Sequence, residues 1–314
     1  MDPWSRAVVT AVDAMAPRVV SVSSVDPQQS RVALGTGLAL DARHVVAHAH
    51  LYTPGDRVTV ALRGGERLEA ELVAADPLYL LALWRVMGSM GLEAPELTAQ
   101  EDLRPGLLVA ALGYPFPSEF SVSLGVIGTP DRTIYRPERF PVDGLVVTDA
   151  TVHLGNVGGP LIDLEGRWVG VNTTPVANGL SLCIQAGVVK RLVGQILEHG
   201  RATHPWLGFS GQAEAVPLAL AQLLQMPVQR GISVTHVEAE GPGERAGVRP
   251  LDLVVAIDGR PVASLGATRR ALAELRPGES RPLTVLRGGD LRELEMPVEE
   301  MPRLESTPWT DPQS

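Results

Sequence analysis

From residue 19 to residue 173 the chain is a succession of short β-branched runs, each broken within a few residues by glycine, proline or aspartate: VVSVSS, VALGTGLAL, HVVAHAH, RVTVAL, LLVAALG, GLVVTDA and RWVGVNT. Many short strands at this density predict a sandwich or a barrel. The 32 glycines and 26 prolines supply the turns such a fold needs.

At 314 residues the chain suits two domains, each large enough to bury its own core. Residues 1–20 read as an amphipathic lead-in, with Val8, Val9, Val12 and Met15 at helical spacing. A first domain over 21–200 closes on GVVKRLVGQILEHG, a helix with Val188, Leu192, Ile196 and Leu197 on one face and Gly200 as C-cap. RATHP is the linker. A second domain over 206–301 has strands at GISVTHV, DLVVAIDG, PLTVLRGG and LEMPVEE, and a short helix at ATRRALAEL. The tail over 302–314 is polar and reads as disordered.

Composition removes several function classes. The formal net charge is −9, which argues against an electrostatic grip on nucleic acid or anionic lipid. Cys183 is the single cysteine, so no intrachain disulfide forms, and LSLCIQAG reads it as a small core residue. No apolar run reaches the roughly 20 residues of a membrane helix, and the first residues do not read as a signal peptide. As written, the chain is expected in the cytoplasm.

Four segments, in order, resemble proteases of the HtrA/DegP type. GTGLALDARHVVAHAH resembles the stretch leading to the catalytic histidine, with His50 at that position. DPLYLLALWRV resembles the segment that holds the acid. LVAALGYPFPSEFSVSLGVIG resembles the loop and strand that follow, and TDATVHLGNVGGPLIDLEGRWVGVNT resembles the nucleophile loop. The resemblance implies a mostly β fold, a trypsin-like double β-barrel followed by a smaller α/β PDZ domain. It also implies assembly as a homotrimer through the N-terminal segment, and a family often found outside the cytoplasm.

Two departures fall on the chemistry. A serine protease needs a hydroxyl to attack the scissile carbonyl, a histidine to take its proton, and a carboxylate to hold that histidine's tautomer. The nucleophile position here is Val157 and the acid position is Leu80, so His50 is expected to be vestigial and the chain a non-enzyme. Asp76, four residues before Leu80, would lie roughly 13 Å from it along a strand, out of hydrogen-bond reach. Thr148 and Thr151 are too far along the chain to replace residue 157. The backbone of Gly155, Asn156 and Val157 is expected to survive as an oxyanion-type nest, since that role needs no side chain. His44, His48 and His50 would share one face of a strand. A site from His50, His153 and a third ligand could hold a metal, but neighbouring histidines without one are the plainer reading; no metal or other cofactor is expected.

In the second domain, GISVTHVEAEGPGERAGVRPLDLVVAIDGRPV resembles the PDZ signature, with Leu251 where the family usually has glycine. WLGFSG, from Trp206, resembles the carboxylate-binding loop. Successive N–H groups there would bind a terminal carboxylate and Gly208 would let the backbone approach. Leu207 and Phe209 would floor the pocket for the last side chain, and Leu272 would supply the facing wall. The expected function is a non-catalytic homologue that binds peptides or unfolded proteins, with C-terminal tails at the PDZ domain. Two alternatives stand beside it: an active serine-type or metal-dependent endopeptidase using another constellation, and a regulatory subunit in a mixed oligomer with active relatives.

Overall fold

The structure is a computed structural model that describes residues 1–25, 32–52, 55–96, 102–116, 119–135, 141–176, 179–216, 218–224 and 229–302. The tail expected to be disordered, from 303 on, lies outside the described residues. The chain is mostly β and divides into two compact units, Met1–Ala202 and Thr203–Arg303.

The first unit holds two closed six-stranded barrels. Strands β1 (Val19–Val25), β2 (Val32–Ala39), β3 (His44–His48), β4 (Arg57–Ala61), β5 (Arg67–Asp76) and β6 (Leu81–Val86) close in the order β1-β2-β3-β6-β5-β4. Alternation builds this barrel: Val20, Val22, Val58 and Val60 point inward and are fully or almost fully buried, whereas Ser21, Ser23 and Thr59 between them are partly exposed. Strands β7 (Leu108–Phe116), β8 (Glu119–Tyr135), β9 (Pro141–Thr148), β10 (Pro160–Asp163), β11 (Trp168–Val176) and β12 (Leu180–Gln185) close the second barrel as β10-β11-β12-β9-β8-β7. Val109, Ile127, Val146, Leu161, Val169 and Cys183 lie in its core. Burial raises the Cys183 thiol pKa well above its usual value, which makes it an inert filler.

Two helices flank the barrels. In α1 (Pro3–Met15), Asp2 caps the N-terminus by accepting from the Ser5 N–H at 3.0 Å. Ala11, Val12 and Met15 are buried, whereas Val9, expected on the same face, is exposed. In α2 (Ala186–His199), Val188, Leu192 and Ile196 face inward and Gly200 ends the helix at φ 76°, its N–H donating to the Ile196 carbonyl at 2.8 Å. Leu197 is exposed, because one step of about 100° from Ile196 carries it off the buried stripe.

Two polar links tie the barrels together. The Thr36 hydroxyl on β2 donates to the Gly155 carbonyl at 2.6 Å and accepts from the Tyr114 N–H of β7 at 2.8 Å. The buried Tyr79 hydroxyl, in the β5–β6 turn, donates to Asp143 on β9 at 3.0 Å. Burial and the Asp143 charge push the Tyr79 pKa well above its usual value, so it remains a donor.

The second unit contains β13 (Pro205–Trp206), β14 (Phe209–Ala215), α3 (Leu218–Leu223), β15 (Arg230–Val237), α4 (Pro242–Arg245), β16 (Leu253–Ile257), β17 (Arg260–Pro261), α5 (Leu265–Ala273), β18 (Ser280–Arg287), β19 (Asp290–Pro297) and β20 (Glu299–Glu300). Its main sheet runs β14-β15-β16-β18-β19, with β17 on β16 and β13 paired to β20. Ile232, Val234, Val254, Leu283, Val285 and Met296 fill the core. The Arg287 guanidinium forks onto buried Asp252 at 2.6 and 2.7 Å and also donates to the Gly247 carbonyl. Leu251, beside this fork, is 87% exposed and sits at φ 73°, the left-handed backbone that glycine adopts without strain.

Candidate functional site

Strand β3 ends at His48, and residues Ala49–Leu51 form one 3₁₀ turn that carries His50. The Ala49 N–H donates to the Leu80 carbonyl at 2.7 Å, the last rung of the β3–β6 pairing before the chain turns. The three histidines therefore do not share a strand face as the even spacing suggested. His44 turns to Asp41, at 2.8 Å, while His48 and His50 meet each other, ring centroids 4.6 Å apart and Nδ1 to Nδ1 at 2.6 Å. His50 as a residue is exposed, but desolvation on the side packed against protein lowers its pKa from the usual 6.5.

Leu80, at the acid position, has φ 53° in the turn between β5 and β6 and offers His50 no side-chain acceptor. The separation of about 13 Å between Asp76 and Leu80 assumed an extended strand; the chain reverses instead, so that Asp76 pairs with Leu81 across the hairpin. Asp76 is buried and accepts the Tyr79 N–H at 2.7 Å, closing the turn.

Val157 sits at φ −62°, ψ 132° with only 2% of its surface exposed, and its side chain belongs to the core of the second barrel. A valine carries no hydroxyl to attack a carbonyl, so residue 157 cannot supply the nucleophile of a serine protease. Of the threonines upstream, Thr148 spends its hydroxyl elsewhere and Thr151 is held by its backbone. Thr148 donates to the Val126 carbonyl at 2.8 Å, and the Thr151 N–H is held by the Ser123 hydroxyl at 2.8 Å.

The nest expected from Gly155, Asn156 and Val157 is not open. Residues Leu154–Asn156 form a 3₁₀ turn in which the Asn156 N–H donates to the His153 carbonyl at 2.8 Å and the Val157 N–H to the Leu154 carbonyl at 3.3 Å. Two of the three donors are thereby turned into the loop's own bonding. Three glycines make the loop's packing possible. A Cβ at Gly113 would come within 2.8 Å of the Asn156 Cα, at Gly155 within 2.4 Å of the Pro115 Cα, and at Gly158, whose φ is +91°, within 2.2 Å of the Thr36 carbonyl oxygen.

A cleft of about 570 Å³ opens on the outer face of β1 and β4, lined among others by Ser21, Ser23, Thr59, Arg63, Tyr114 and Phe120. Arg63 covers the Phe120 ring at 4.8 Å, so polar hydroxyls and a cationic rim face one space.

In the second unit, β14 is the end strand of the main sheet among the described residues, and its neighbour in that order is β15. Strand β13 ends at Trp206, and Leu207 and Gly208 form the connection from it to β14. Gly208 is at φ +69°, and its carbonyl accepts the Glu238 N–H at 2.9 Å. Leu207 is 5% exposed and belongs to the core, not to the surface of a pocket as expected; Phe209 and Leu272 are partly buried and pack against the same core cluster. Sequence reading missed His48. Its two-residue spacing from His50 was visible, but the turn that brings the rings together was not.

Residues 32–171 match the family model for a trypsin-like peptidase domain and 207–298 the model for a PDZ domain. The chain is similar to a probable periplasmic serine endoprotease, DegP-like, from Halomonas elongata, 32% identical over 282 residues, 87% of this chain and 58% of that one. It is 29% identical over 269 residues to the periplasmic serine endoprotease DegP of Escherichia coli K12, covering 83% of this chain and 56% of that one. The chain thus spans a little over half the length of these relatives. The solved structure of the HtrA-type protease AlgW with tripeptide matches with a TM-score of 0.75 at 28% identity, covering 95% of this chain and 99% of that one.

Two expectations are corrected by these relatives. The chain was read as a non-enzyme from Val157 and Leu80, but relatives at about 30% identity over most of its length are named serine endoproteases, which classes it with proteases. The cytoplasmic reading likewise gives way, because those relatives are named periplasmic. Among the described residues no helix is long and apolar enough to cross a membrane.

Proposed function

We propose, for a chain that belongs to the HtrA/DegP-type trypsin-like peptidases with one PDZ domain, that it captures polypeptides by their C-terminal ends and holds them, outside the cytoplasm. The observation that carries this reading is the edge of β14 next to the Gly208 loop. A strand at the end of a sheet can take an added strand along its outer side, which supplies sequence-tolerant affinity. The positive φ at Gly208 lets backbone come close to a terminal carboxylate, and Phe209 with Leu272 gives an apolar last side chain somewhere to pack. That AlgW has been solved with a tripeptide and with a decapeptide supports peptide as the ligand class.

In the first unit, the retained barrels of the protease-homology domain, placed over residues 21–200, would contribute further polypeptide contact. His50 and the 155–157 backbone are the remnants of the reacting centre, with Leu80 and Val157 at the two positions that lack their functional group. The test is binding and turnover measured on the same preparation: labelled peptides ending in an apolar residue by fluorescence polarisation, and denatured casein by gel. Micromolar binding, about −8 kcal/mol, is the result expected; absence of binding sinks the proposal, and the casein lane decides between holding and the second reading.

The second reading is endoproteolysis, favoured by the names of the relatives. It needs a nucleophile other than the residue 157 side chain. Casein fragments that track the purified chain through a second column would establish it.

A further inference from the structure

The His48–His50 contact has a chemical direction that the hydrogen-bond partners fix. His48 Nδ1 lies 3.3 Å from the backbone nitrogen of His50 and 2.6 Å from the Nδ1 of its ring. A backbone N–H can only donate, so His48 Nδ1 carries a lone pair. The short contact between the two ring nitrogens then needs its one proton on the other side, on His50 Nδ1. A neutral imidazole has a single N–H, which leaves His50 Nε2 with the free lone pair.

We infer that His48 is a positioning residue for His50: it accepts the His50 Nδ1 proton and holds the tautomer whose Nε2 is the base. In a serine protease triad a carboxylate does this work. Here position 80 is leucine, and an imidazole two residues before the histidine occupies the acceptor role. The acceptor is rigidly held. His48 is 3% exposed, pairs with Leu81 on β6, and is followed by one more rung of that pairing, the Ala49 N–H bond to the Leu80 carbonyl. Desolvation keeps His50 neutral near neutral pH, the state in which a tautomer choice exists. An uncharged acceptor fixes orientation without the full charge that a carboxylate offers an imidazolium, so His50 here is an oriented base with weaker electrostatic support. None of this depends on whether the chain binds polypeptide.

The test is a long-range proton–nitrogen correlation spectrum of the full chain labelled with ¹⁵N at histidine, at pH 8, with His50→Gln used to assign the signals. The wild type is expected to show His50 protonated at Nδ1 and bare at Nε2. His48→Leu removes the acceptor, and the tautomer ratio at His50 is expected to shift at least about tenfold toward Nε2–H, since the free ring has no fixed partner. His48→Asn keeps an acceptor the same number of bonds from Cα as the imidazole Nδ1, and is expected to retain the wild-type tautomer. A wild-type His50 protonated at Nε2, an unchanged ratio in His48→Leu, or an Asn variant that behaves as the Leu variant does would each overturn the inference. If His48→Leu does not fold, the wild-type and Asn spectra decide it alone.

Discussion

Replacing Gly208 with valine probes the proposed peptide-binding loop through two separable terms. The position has φ +69°, and a side chain with a Cβ in left-handed backbone costs about 1–2 kcal/mol. A Cβ built there would also lie 2.7 Å from Cδ and 3.1 Å from Cγ of Pro242, whose ring is buried at the start of α4. Ordinary carbon contacts are about 3.5–4.0 Å, so loop and ring must part by roughly 1 Å, an overpacking cost of about 1–3 kcal/mol. Together these give about 2–5 kcal/mol, within the 5–15 kcal/mol stability of a typical domain. The unit, Thr203–Arg303, therefore folds but melts about 10–30 °C lower. Because the displacement falls on the loop, peptide affinity measured by fluorescence polarisation at low temperature drops at least about tenfold, a loss of roughly 1.4 kcal/mol. Gly259→Ala is the control. It carries the same kind of strain at φ +71°, but nothing lies within 4 Å of its added Cβ, so it loses stability and keeps its peptide affinity. Wild-type affinity in Gly208→Val, or equal loss of binding in Gly259→Ala, refutes the assignment of the loop.

Thr36→Val removes the hydroxyl that serves both the Gly155 carbonyl and the Tyr114 N–H. At about 1–3 kcal/mol for each group left unpaired, urea unfolding of the first unit should show a loss of about 2–6 kcal/mol. Leu251→Gly relieves left-handed strain at a residue 87% exposed, so little burial is lost. After the entropy that glycine gives the unfolded chain, a net gain of about 0.5–1 kcal/mol is expected by calorimetry. The His50 pKa is depressed in the folded chain, so below pH 6.5 the unfolded state binds the proton first. Stability should therefore be lost as pH falls through 6.5 toward the folded pKa and be fully present above it, and His50→Gln should flatten this part of the pH profile.

The barrels were legible because residues such as Val20, Val22, Val58 and Val60 alternate cleanly with polar neighbours. Other strands hid. β5 reads RLEAELVAAD, where glutamates interrupt small apolar residues and most side chains stay half-exposed. β10 is four residues long, and β8 changes register against β9 three times, which breaks any period of two. At the candidate sites, residue types were legible and backbone paths were not. Val157 and Leu80 could be placed from motifs, whereas the inward-bonded 3₁₀ turn over Leu154–Asn156 depends on φ and ψ that no motif states. His48 was misread for the same reason: after it the backbone passes into a 3₁₀ turn over Ala49–Leu51, a path that no motif states. Leu207 was read as pocket lining, but its side chain faces the core while Phe209 and Leu272 are partly buried against it.

The group that the second unit is proposed to read is a free terminal carboxylate. A pair of fluorescent peptides identical except for the terminus, one a free acid and one an amide, titrated against the full chain by polarisation, isolates that group. Hydrogen bonds to a charged acceptor are worth about 1.5–3 kcal/mol, so the free acid should bind about 10–150-fold more tightly than the amide, and Gly208→Val should bring the two together. Equal affinity of acid and amide for the wild-type chain would contradict the account.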